Sequence, residues 1–235
     1  MQPREAIILA GGFGTRLSHI VSDVPKPMAP VCGRPFLCYI LDRLARQQFT
    51  HIVLSTGHMH EKIEDYFGNE YNGIKISYAR ETTPLGTGGG MLFALQKCTT
   101  DNIVVLNGDT LFDIDFNSLI EFHQKHNPDL TMVLRHVENV SRYGEVCVDD
   151  QHRVISFREK DASQGAGLIN GGIYVVKKSL FDGFQQGQRF SFETDILQSQ
   201  YQQRTFRAYV ANNYFIDIGI PEDYHRAQKE FESLK

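Results

Sequence analysis

An α/β fold with a mostly parallel central sheet is what this sequence predicts, on three observations. Short continuous apolar runs, Ala6-Ile-Ile-Leu9, Ile52-Val-Leu54, Ile103-Val-Val-Leu106 and Thr131-Met-Val-Leu134, have the texture of strands buried on both faces. Segments with helical spacing alternate with them, at residues 36–45, 61–67, 88–95 and 119–126. Strand alternating with helix means βαβ units and hence parallel pairing with helices on both faces.

Each element has its own reason. The first strand stops at Gly11-Gly12, and the next helical segment follows Pro35. After Arg135 the texture changes to alternating stretches at 144–148, 154–158 and 172–176, separated by polar turns. This half predicts a smaller mixed sheet laid over the first. A helix over 193–203, a strand pair around 207–217 and a helix beginning at Pro221, where a first-turn proline is favoured, complete the chain. No linker, internal repeat or low-complexity stretch interrupts it, so residues 1–235 read as one unit, with 1–135 the scaffold and 136–235 a lid or acceptor region.

The 235 residues carry 24 Lys plus Arg against 28 Asp plus Glu, and 41% are apolar. That balance allows a real core, and a net charge of -4 argues against duplex nucleic acid as a partner. No apolar run approaches the roughly 20 residues of a membrane span, and residues 1–5 lack a signal-peptide layout, so a cytoplasmic location away from the membrane is expected. Cys32, Cys38, Cys98 and Cys147 form no C-x-x-C pair and read as reduced, mostly buried thiols. His58 with His60 and His123 with His126 have no acidic or Cys partner at zinc spacing, and His123 to His126 reads as a solvated helix face.

The strongest chemical signal is Leu9-Ala-Gly-Gly-Phe-Gly-Thr-Arg-Leu17, a glycine-rich loop directly after the first buried strand. Glycines let backbone N–H groups approach a polyphosphate closely, and Arg16 adds a fork-shaped cation. The loop departs from G-x-G-x-x-G at Leu17 and lacks the Gly-Lys-Ser/Thr of a P-loop. Pro25-Lys26-Pro27 holds a lysine on a stiff support suited to a phosphate contact. Asn107-Gly108-Asp109 ends a buried strand, where α/β sheets place ligands, and Asp217 ends Tyr214-Phe-Ile-Asp217 ahead of Gly219. Asp109 alone would read as a turn residue; the two acids with an anion loop read as ligands sharing one Mg²⁺. Arg158-Glu159-Lys160 places a carboxylate beside a cation at a strand end, the alternative being a solvated charged triplet. Glu193, after Phe190-Ser-Phe192, is either a sugar-hydroxyl contact or a first-turn helix acid.

These strings, with Pro84-Leu-Gly-Thr87, Phe157-Arg-Glu-Lys160, Asn170-Gly-Gly-Ile-Tyr174 and Asp217-Ile-Gly-Ile-Pro221, fall in the order seen in sugar nucleotidyltransferases, and the resemblance covers essentially the whole chain. Ser22 to Pro30, Ser191-Phe-Glu193 and the stretch 216–224 resemble the guanylyltransferases of that family that act on a heptose 1-phosphate. The resemblance implies a Rossmann-like, glycosyltransferase-A-like core and the reaction of GTP with a sugar 1-phosphate to give a GDP-sugar and pyrophosphate. It places Leu9, Gly11, Gly12, Gly14, Thr15, Arg16 and Gly108 on the nucleotide, Lys26 on the phosphates, and Asp109 and Asp217 on Mg²⁺. Glu81, Pro84, Gly86 and Thr87 fall on the base-recognition loop, where an acceptor-only carboxylate suits the adjacent N1–H and N2 donors of guanine. Gly144, Glu159, Lys160, Asn170, Gly171 and Glu193 fall on the sugar phosphate. Arg34 stands where lysine is frequent, and Phe215 where a tryptophan is common; the β-helix appended in some relatives is not expected. Mannose 1-phosphate, a uridylyl or thymidylyl donor, and a non-catalytic sugar-nucleotide-binding subunit are the alternatives, and a homo-oligomer is compatible with the sequence.

Overall fold

The structure is a computed structural model and describes residues 4–12, 17, 19–158 and 165–232. In chain order its strands and helices are β1 (Glu5–Leu9), β2 (Pro30–Val31), β3 (Arg34–Pro35), α1 (Phe36–Arg46), β4 (His51–Thr56), α2 (His60–Phe67), β5 (Glu70–Tyr71) and β6 (Ile74–Arg80). There follow α3 (Gly86–Leu95), β7 (Asn102–Asn107), β8 (Thr110–Phe112), α4 (Phe116–His126), β9 (Leu130–Val137), β10 (Glu145–Val148) and β11 (Val154–Arg158). The last are β12 (Gly167–Lys177), β13 (Phe206–Val210), β14 (Phe215–Asp217) and α5 (Pro221–Glu232), with a π-helical turn at Phe192–Gln198 between β12 and β13.

Eight strands form the central sheet in the order β13-β9-β12-β7-β1-β4-β6-β5. β1 pairs parallel with β4 and β7, and β4 with β6. The apolar runs are continuous because both faces are covered. Ala6 and Ile8 join the core formed with α1, α2, α4 and α5, whereas Ile7, between them, joins the core formed with α3 and the π-helical turn. Adjacent residues on a strand point to opposite faces, so a strand covered on both sides needs apolar residues at every position. The register aligns the carboxyl ends on one edge: Leu9 lies opposite both Ser55 and Asn107, and Thr56 opposite Arg80.

The second half departs from expectation. Instead of building a sheet of its own, β12 inserts antiparallel between β7 and β9, and β13 runs parallel to β9. The stretch 172–176 reads as alternating, yet Ile173 to Val176 are all buried. Among the described residues of this half, only β10 and β11 form a separate small hairpin. Residues 207–217 are not a strand pair either, since β14 pairs with β8. The helix expected over 193–203 is the shorter π-helical turn. Ser191 Oγ accepts from Thr194 N and Asp195 Oδ2 accepts from Ser191 N at 2.7 Å, so Asp195, not Glu193, closes its amino end.

His123 is another correction. It is 1% exposed, and its ring nitrogens meet Thr131 Oγ1 at 2.8 Å and Asn102 Oδ1 at 3.2 Å. Burial pushes its pKa down to about 4, so it is a neutral core residue and not part of a solvated face. The four cysteines are free, with Cys38 and Cys98 buried. No helix among the described residues is long and apolar enough to cross a membrane.

The start of α3 is packed unusually tightly. Gly86 has φ +75°, and a Cβ there would lie 2.5 Å from the Phe190 carbonyl oxygen. That same carbonyl accepts from Gly88 N at 3.1 Å, and Phe190 N donates to Leu85 O. Gly86→Ala is therefore expected to cost about 1–3 kcal/mol and lower the melting temperature by about 2–4 °C for each of them. Gly12→Ala, where a Cβ would meet nothing within 4 Å, is the near-neutral control in the same thermal melt.

Candidate active site

A cavity of about 450 Å³ opens at the carboxyl edge of β1, β4, β6 and β7. It is lined by Leu9, Gly11 and Gly12 after β1 and by Lys26 and Asp109. Glu81 and Pro84 from the β6–α3 loop, Gly86 and Thr87 from the first turn of α3, and Glu193 also line it. Three backbone bonds continue the strand register into the site: Ala10 N to Ser55 O, Gly108 N to Leu9 O and Glu81 N to Thr56 O, at 2.8 to 2.9 Å. Gly108 permits this close approach, because a Cβ would stand 2.6 Å from Leu9 O.

Lys26 Nζ donates to Asp109 Oδ2 at 2.8 Å, and both side chains are largely covered. Asp217 is brought beside Asp109 by the β8–β14 pairing and by Ile218 N donating to Asp109 O at 3.0 Å. Gly219 N donates to Asp217 Oδ1 at 2.7 Å. Burial, and then the Asp109 charge, push the Asp217 pKa up to about 6. Two hard carboxylates with only one of them ion-paired among the described residues leave a negative charge that calls for a cation. The donor set fits Mg²⁺, which takes few carboxylates together with substrate phosphates and water.

Glu81 sits half-buried, and desolvation raises its pKa despite hydrogen bonds from Leu85 N at 2.9 Å and Ser55 Oγ at 3.4 Å. A Cβ at Gly90 would lie 2.6 Å from Glu81 Oε1, so the helix start leaves room for this carboxylate. Glu193 Oε2 accepts from Thr87 Oγ1 at 2.6 Å and from Ser191 Oγ at 3.1 Å, tying the π-helical turn to the first turn of α3.

Other candidates lie apart from this cavity. Asn170 donates to Tyr174 Oη and accepts from Gly172 N, holding the irregular stretch of β12 between Asn170 and Tyr174. Gly171 packs on the Phe112 ring. Gly144, with φ +79°, ends a turn in which its N donates to Val140 O. Gly14, Thr15, Arg16, Glu159 and Lys160 lie outside the described residues. Ser55 and Asn107 line the cavity without having been singled out as contacts. Their signal is positional, since each is a polar residue at the carboxyl end of a parallel strand.

Known proteins match this chain in both sequence and fold. The model of the nucleotidyl transferase family matches residues 5–233. The chain is 47% identical to the D-glycero-alpha-D-manno-heptose 1-phosphate guanylyltransferase of Aneurinibacillus thermoaerophilus, over 97% of this chain and 98% of the relative. It is 45% identical to the protein of the same name from Campylobacter jejuni, over 94% and 97%. The crystal structure of HddC from Yersinia pseudotuberculosis complexed with GMP-PN superposes with a TM-score of 0.86 at 36% identity, covering 97% of this chain and 99% of that one. With both its sequence and its fold matched along nearly the whole length, the chain belongs to the nucleotidyl transferase family.

Proposed function

We propose that this protein transfers a guanylyl group from GTP to D-glycero-α-D-manno-heptose 1-phosphate, in the cytoplasm and with Mg²⁺, to form GDP-heptose and pyrophosphate. The observation that carries the nucleotide is the Glu81 carboxylate facing the same cavity as Leu9, Gly11 and Lys26. The full-length identity to two relatives of that name supports the sugar.

An acceptor phosphate oxygen attacks the α-phosphorus, a new P–O bond forms, and the bond to the bridging oxygen of the β-phosphate breaks as pyrophosphate leaves. The acceptor is already ionised, so no enzyme nucleophile is needed and catalysis is positioning and charge stabilisation. Two unit charges about 4 Å apart repel by about 4 kcal/mol at an effective dielectric near 20, so several cations must gather first. Lys26 is one; Arg16 on the nucleotide and Lys160 on the sugar phosphate are the others. Asp109 and Asp217 would hold Mg²⁺, which when bound neutralises charge on the transferring phosphates. The Gly11-Gly12 backbone cradles the triphosphate, and Glu81 accepts from guanine. Residues 1–135 then supply most of the nucleotide side and 136–235 most of the acceptor side.

Pyrophosphate release and product mass, read for GTP, ATP, UTP and dTTP against heptose, mannose and glucose 1-phosphates, test the reading. GTP with the heptose 1-phosphate should give the highest kcat/KM. Preference for UTP or dTTP overturns the nucleotide, and preference for mannose 1-phosphate overturns the sugar.

A further inference from the structure

Among the described residues Asp109 and Asp223 both act on Asp217 electrostatically, and the partners of these acids differ. Asp109 is met by Lys26, and Asp223, 6% exposed in the first turn of α5, is met by two arginines. Arg142 Nη2 donates to Asp223 Oδ2 at 2.7 Å, and Arg226 Nη2 stands 3.5 Å from Oδ1. Arg142 belongs to the turn after β9, in which Tyr143 N and Gly144 N both donate to Val140 O. Its guanidinium lies 5.3 Å over the Tyr143 ring, and Tyr143 meets Phe215 edge-on at 6.4 Å. Phe215 begins β14, whose last residue is Asp217. Arg142 is thus within electrostatic reach of Asp217 and does not line the nucleotide cavity.

We propose that Arg142 binds the phosphate of the acceptor sugar 1-phosphate, exchanging part of its contact with Asp223 for the incoming dianion. This rests on the nucleotidyl-transfer reading and adds a specificity-bearing cation to it. Four features support it. The side chain is 51% exposed, so the anion can reach it. A guanidinium has five N–H groups, and among the described residues Arg142 uses one of them, in its hydrogen bond to Asp223. The planar fork matches two phosphate oxygens at once. Asp223 remains stabilised when Arg142 turns away, because Arg226 and the amino end of α5 still face it. The same turn carries Gly144, one of the residues that the family resemblance assigns to the acceptor, and β11 ends at Arg158, opposite Glu145.

The test compares Arg142→Met, Arg142→Lys and Asp223→Asn in the full chain, with whichever nucleotide and sugar 1-phosphate the wild type turns over best. Arg142→Met should raise KM for the sugar 1-phosphate roughly 10- to 150-fold, the range of one charge-assisted hydrogen bond, and leave KM for the nucleotide within about twofold. Arg142→Lys should recover part of the loss. Asp223→Asn, which removes the competing anion, should lower KM for the sugar 1-phosphate. A clamp that only holds α5 in place predicts the opposite for Asp223→Asn, namely a loss like that of Arg142→Met together with a lower melting temperature. Unchanged KM for the sugar 1-phosphate in Arg142→Met, equal rises for both substrates, or that shared loss overturns the assignment. If the wild type releases pyrophosphate with no substrate pair, the reaction itself falls; a wild type that turns over beside an indifferent Arg142→Met overturns Arg142 alone.

Discussion

Asp217→Asn is expected to slow turnover by several hundredfold or more while raising the melting temperature of the protein in chelator at pH 7.5. On the proposed reading the loss follows from removing one of two carboxylates that would hold the metal where phosphate charge must be neutralised, and a factor of several hundred corresponds to about 3.5 kcal/mol. The stability gain follows from the surroundings of Asp217. Burial and the neighbouring Asp109 raise its pKa to about 6, above its ordinary value of 3.8. The folded state therefore holds that proton more tightly than the unfolded chain, and ionising the group as pH rises past 4 costs stability, with the full cost present above 6. A neutral asparagine keeps an oxygen for Gly219 N and carries no charge, so its advantage should vanish below pH 4. Asp109→Asn should lose activity to a similar degree without the gain, because it also breaks the Lys26 ion pair. Pyrophosphate release at limiting Mg²⁺ and melting curves in chelator decide both. Near-native activity would show that the acid is no ligand, and a lower melting temperature for Asp217→Asn would show that its charge is not strained.

The second large effect concerns the base. Glu81→Gln should lower kcat/KM for GTP about 10- to 150-fold, the range of a charge-assisted hydrogen bond, and narrow the gap to UTP and dTTP. Guanine offers N1–H and the N2 amino group side by side, and an ionised carboxylate accepts from both. Adenine places a lone pair at N1, and uracil flanks its single donor with carbonyls, so a glutamine suits pyrimidines better. Glutamine can still accept from Leu85 N, which keeps the loop in place and confines the change to recognition. Because burial raises the Glu81 pKa, GTP selectivity of the wild type should weaken as pH falls toward it, whereas the glutamine variant should show no such slope. Steady-state kinetics with four nucleotides at several pH values measures this; GTP selectivity untouched by the substitution would remove Glu81 from the base site.

Much of the scaffold was legible locally. Ala6 to Leu9 announces a strand covered on both faces, and the glycines after it announce where that strand ends, because both properties belong to consecutive residues. Asp109 could be placed at a strand end for the same reason. Tertiary structure decided what neighbours what. An apolar run records that both faces of a strand are buried and does not record which strands flank it, so the insertion of β12 between β7 and β9 could not be read from 167–177. His123 looked solvated among Gln124, Lys125 and His126, but its two partners, Thr131 and Asn102, come from β9 and β7. Glu193 and Asp195 are equally plausible acids at the start of a helical segment, and only the approach of Thr87 from α3 separates a side chain facing the cavity from one that caps. Asp217 acquires its shifted pKa only when β14 pairs with β8 and carries it to Asp109, since Coulomb repulsion and desolvation depend on distances through space that spacing along the chain does not encode.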